Sequence, residues 1–105
     1  MTAYANLSVS EDIIRDLGYQ TIDDFLRIQA RRALEQKISY YQSRVDFYER
    51  KYGMSFTEFR QRIQNAADET LAPFSVIEKE DDDNDWDDAL DFIRIYTADL
   101  LRIRP

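Results

Sequence analysis

TIDDFLRIQARRALEQKISYYQSRVDFYERKYGMSFTEF, residues 21–59, decides the fold. It reads as one long helix, a stop, and the start of a second helix. Thr21 is followed three places on by Asp24, a capping residue with an acid in the first turn. No Gly or Pro interrupts Ile22 to Lys51. At 1.5 Å per residue such a helix is a rod of roughly 45 Å. Leu34, Ile38, Tyr41, Val45, Tyr48 and Tyr52 recur at steps of three and four, a heptad-like seam. Gly53 suits the left-handed residue that ends a helix, and Arg50 and Lys51 precede it where the helix dipole favours cations. Ser55 and Glu58 then form a second capping box, with Met54 and Phe59 spaced as a hydrophobic staple.

Outward from this stretch, the chain of 105 residues is sized for one domain spanning 1–105. It has no cysteine, so no disulfide framework or thiolate metal site is available. It has no histidine, which removes the commonest general base and metal ligand. No apolar run approaches the roughly 18 residues of a membrane span, and no signal-peptide pattern opens the chain. A cytoplasmic protein is the expectation. Net charge is −7 and unevenly placed: residues 1–52 balance eight basic against eight acidic side chains, while 53–105 set six against thirteen. An acidic half repels nucleic acid and attracts basic partners.

The remaining segments predict an all-α domain of four helices, near 11–17, 22–52, 56–67 and 85–102. Thr2 to Val9 alternates apolar and polar residues. That is the period of a short strand, but Ala and Asn are poor strand formers, and a frayed tail fits as well. Ser10 caps a two-turn helix ended by Gly18. Pro73 breaks an irregular stretch, after which Phe74-Ser75-Val76-Ile77 suggests a short extended piece. Residues 78–85 read as a solvated acidic loop leading into the last helix.

Chemistry is hard to place in this pattern. A calcium loop started at Asp81 meets Trp86 where Gly is needed and Phe92 where the bidentate Glu is needed. A start at Asp83 meets Asp88 and Arg94. Gly18 and Gly53 are too far apart for a phosphate loop. The reading is therefore a non-enzymatic protein without metal or cofactor. Arg27, Arg31 and Arg32 could touch phosphate, but Asp23, Asp24 and Glu35 favour ordinary surface pairing. The seam from Leu34 to Tyr52 is either monomer core or a dimer interface; the rod outreaches its short neighbours, which predicts a homodimer. Trp86, Phe92, Ile93, Tyr96 and Leu100 lie in the acidic half and are the candidate anchors for a basic partner.

The layout resembles the small antitoxins of prokaryotic type II toxin–antitoxin pairs. The features are a short N-terminal strand, a two-turn helix, a long helix, the phrase Lys51-Tyr52-Gly53-Met54-Ser55-Phe56-Thr57-Glu58-Phe59, and an acidic, Trp-bearing C-terminal helix. The resemblance covers most of the chain in outline and about ten residues as a phrase. It implies a dimeric N-terminal DNA reader and an acidic C-terminal segment that masks a basic toxin. The first helix is a turn or so shorter than in ribbon–helix–helix readers, and the strand carries no Arg or Lys; both departures favour toxin binding over DNA binding. The alternative is a stand-alone helical scaffold homodimer with no toxin partner.

Overall fold

A computed structural model describes residues 8–65 and 67–105. It is built of α1 (Glu11–Asp16), α2 (Ile22–Tyr52), α3 (Phe56–Gln64) and α4 (Val76–Arg102). No strand occurs among the described residues. The alternating stretch at 2–7, and with it the strand-or-tail question, lies outside them.

Each helix starts where a hydroxyl can take one of the backbone N–H groups that a first turn leaves unpaired. Ser10, Thr21, Ser55 and Ser75 accept from Ile13, Asp24, Glu58 and Glu78, respectively. The long helix has the bounds that the sequence implies. It stops because Gly53 takes the left-handed conformation, φ 68°, and donates its N–H to the Glu49 carbonyl at 2.8 Å. Helix α3 ends at Gln64, three residues before the expected 67.

The acidic loop expected at 78–85 is instead helical, and the last helix begins at Val76 rather than near Asp85. The Ser75 hydroxyl caps the helix by accepting from the Glu78 N–H, so the segment expected to be extended is a helix start. The run of like charges survives in a helix because cations from elsewhere in the chain neutralise it. Lys51 bridges Glu78 and Asp82, Arg60 bridges Asp83 and Asp87, and Arg44 binds Asp85.

Helices α2 and α4 form an antiparallel hairpin. Lys51 meets Glu78 at one end of the pair, Tyr41 meets Tyr96 further down, and Leu26 and Ile103 line one shallow groove at the other end. The result is a rod, 67 × 21 × 20 Å, with a radius of gyration of 21.0 Å. A compact chain of this length would have about 13 Å. The core fills the turn end only. Trp86 and Phe59 are fully buried there, with Val45, Tyr48, Tyr52, Leu71 and Ala89 around them. Phe74 tilts onto Tyr52 at 4.7 Å and Phe56 onto Trp86 at 5.2 Å. Arg62 fastens the α3–α4 connection by binding Glu58, Asp68 and Thr70. At the far end, α1 buries Ile14 beside Ile22. Between these ends, residues 23–44 and 90–105 contain no fully buried side chain.

Candidate functional site

The seam on α2 is filled by the chain itself. Tyr48 stacks on Trp86 at 5.6 Å, Tyr52 packs against Phe59 and Phe74, and Val45 lies in the same cluster. These three residues, expected at a dimer seam, are monomer core. Leu34, Ile38 and Tyr41 are only half-buried, because nothing beyond α4 covers that part of the rod.

The expected partner anchors divide in the same way. Trp86 is fully buried and cannot serve as a surface anchor. Its indole nitrogen has no hydrogen-bond acceptor among the described residues; the ring is enclosed by Tyr48, Tyr52, Phe56 and Phe59. Ile93 is half-buried against the core cluster, and Tyr96 and Leu100 are half-buried lower down α4. Phe92 is exposed at its edge while its face stacks on Tyr41 at 4.8 Å. These five residues therefore do not make one surface.

Two polar clasps hold α4 to α2, one helical turn apart. In the first, Asp85 accepts from the Tyr48 hydroxyl at 2.5 Å and from the Arg44 guanidinium at 3.0 Å. The Tyr48 hydrogen bond, aided by Arg44, holds the Asp85 carboxyl below the usual range against the opposing effect of burial. Burial, then the neighbouring carboxylate, pushes the Tyr48 phenol up to about 12. In the second clasp, Asp82 accepts from the Tyr52 hydroxyl at 2.5 Å and from Lys51 Nζ at 2.6 Å. Burial again leads in raising the Tyr52 phenol, and the hydrogen bond to Asp82 leads in raising the Lys51 ammonium. Each phenol puts a donor on a carboxylate at the edge of an apolar cluster, which fixes the register of the hairpin.

The clasps consume much of the acid that the sequence offers to a partner. The acids Glu80, Asp81 and Asp88 have no ion pair among the described residues. With about 100° between successive residues, Glu80 falls on the side of α4 turned away from α2, and Asp81 and Asp88 fall on one flank. Ile77 and Val76 stand at the start of the same helix and are 72% and 66% exposed. The outer acid ridge and its two apolar neighbours were legible only once the acidic run was known to be helical.

Charge separates along the rod more sharply than along the chain. Residues 41–91, at the turn end, carry six basic and fourteen acidic side chains, a net of −8. All remaining residues carry eight basic and seven acidic, a net of +1. Among the described residues, no group of three acids converges as a metal-ligand set, and no helix is long and apolar enough to cross a membrane. No protein-family model, curated protein or solved structure matches this chain.

Proposed function

We propose that the chain is a non-catalytic protein–protein interaction module of the antitoxin-like kind, which binds a basic protein through the acidic end of its rod. The observation that carries this reading is the outer ridge of α4. There Glu80, Asp81 and Asp88 have no ion pair among the described residues and stand beside exposed Ile77 and Val76. Acid alone would attract a partner weakly and would be screened by salt. Two bare aliphatic side chains beside it supply an apolar contact, with the −8 end steering approach. Trp86, fully buried, takes no direct part.

The test is co-purification of the native complex at low salt with full-length protein and with Asp81→Lys/Asp88→Lys. The wild type retains a small basic protein, and the double variant or high salt releases it. If neither form retains a partner at low salt, the antitoxin-like reading fails. A second reading, the scaffold homodimer, is favoured by a separate observation: an exposed aromatic face on α2, at Tyr40 and Phe47.

A further inference from the structure

Resting on the reading of the chain as an interaction protein, we infer that a second copy covers the bare face of the hairpin, lying antiparallel with α2 against α2. Leu26, Ala33, Tyr40 and Phe47 recur every seven residues, so they return to nearly the same side of α2. All four are exposed; Leu26 retains 53%, Tyr40 58% and Phe47 43% of its surface. The Tyr40 ring meets Tyr41 edge-on at 5.0 Å, and Tyr41 stacks on Phe92 of α4, so the apolar surface continues across both helices. Arg44 marks the same side, with its guanidinium over Phe47 at 5.3 Å while it binds Asp85. Helix α3 does not cover it. Arg60 of α3 binds Asp83, and Asp83 and Asp85 lie about 200° apart around α4.

The area suits a second copy. The chain exposes 7833 Å². A compact monomer of this mass would expose about 6,200 Å². Leu26, Tyr40, Phe47 and Phe92 alone leave on the order of 380 Å² bare, taking about 200 Å² for each large side chain. That is close to half of the roughly 800 Å² per partner in an ordinary stable interface.

Shape and charge choose the orientation. In antiparallel overlap, Leu26 meets Phe47 of the second copy, and Ala33 meets its Tyr40. Small then faces large, and all four positions are used. In parallel overlap, Ala33 would face Ala33 across a gap, Tyr40 would crowd Tyr40, and Lys37 would approach Lys37. Parallel packing would also set the two −8 ends side by side. Antiparallel packing sets each beside a +1 end, and opposite charges attract where like charges repel. The product is a four-helix bundle with one acidic ridge near each end.

Cysteine cross-linking of purified protein tests this cleanly, because the natural chain has no cysteine. Mixed Ala33→Cys and Tyr40→Cys proteins should form the mixed disulfide several-fold faster than either forms its own. In the antiparallel pair, two copies of residue 33 sit about 10 Å apart along the axis, beyond disulfide reach. Glu35→Cys, on the polar side of α2, should not cross-link. Tyr40→Glu/Phe47→Glu changes only exposed side chains, so it should keep its helicity and halve the mass in light scattering. Preferential self-linking of Ala33→Cys would overturn the orientation. A monomeric wild type at tens of micromolar, or a Tyr40→Glu/Phe47→Glu protein that stays dimeric, would overturn the interface. These outcomes are read without any basic partner, so they stand or fall apart from the acid-ridge test.

Discussion

Asp85 sits between a phenol and a guanidinium, and the two ends of the pH scale act on it differently. Its carboxyl is held below the usual 3.8, chiefly by the Tyr48 hydroxyl. The charged form is thus favoured more in the folded than in the unfolded chain, and its contribution is present above that value. It is lost as pH falls through the lowered folded pKa. Tyr48 works in the opposite sense. Its phenol is raised to about 12 from 10.0, so its contribution is present below pH 10 and lost as pH rises towards 12. Urea midpoints measured from pH 2 to 12 should show a plateau with a fall at each end. Tyr48→Phe should flatten the alkaline fall, and Asp85→Asn the acid one. Asp85 is half exposed, so Asp85→Asn should cost only about 1 kcal/mol at neutral pH. Trp86→Ala is a different matter. The side chain is fully buried among four aromatic rings, and its loss should cost about 3–5 kcal/mol. Thermal melts should show a steep loss for Trp86→Ala and a smaller one for Trp86→Phe. Val45→Asp should unfold the turn end, since it puts a carboxylate in the core rather than at a dimer surface.

At the scale of the element, the ends of the helices decide where α2 and α4 lie. Gly53 has open space where a Cβ would go, so Gly53→Ala meets no clash and pays only for the left-handed backbone, about 1 kcal/mol. Ser75→Ala removes the hydroxyl that accepts the Glu78 N–H and should cost about 1 kcal/mol. Hydrogen exchange should then speed up at Glu78 and its neighbours and not at Leu90 to Leu100. The two elements differ in how far the sequence reveals them. For α2, the cap at Thr21, the unbroken run and Gly53 lie in the element itself, and its bounds follow from it. For α4, the cap at Ser75 is equally local, but eight acidic side chains in the eleven residues after Ile77 outweigh it on paper. The cations that tolerate them, Arg44, Lys51 and Arg60, stand some 20 to 40 positions earlier, so a local reading sees repulsion without its relief. The same distance effect hides the site. Periodicity marks Val45, Tyr48 and Tyr52 as covered, but a seam filled by the chain's own last helix has the same spacing as one filled by a second copy. Trp86 looks like an anchor in sequence because aromatic residues serve both cores and interfaces.

The whole molecule is a thin rod with a packed turn end, a sparsely covered middle and its excess charge at one pole. A pair of helices alone cannot cover both of its broad sides. Helix α3 covers part of one side, and the heptad-spaced face from Leu26 to Phe47 remains on the other. Small-angle scattering combined with light scattering on one dilution series tests the central claim, that a second copy closes this face side by side. The account predicts twice the 12.5 kDa chain mass, with a longest dimension still near 67 Å. A particle of chain mass at every concentration, or a dimer of nearly double the length, would contradict it.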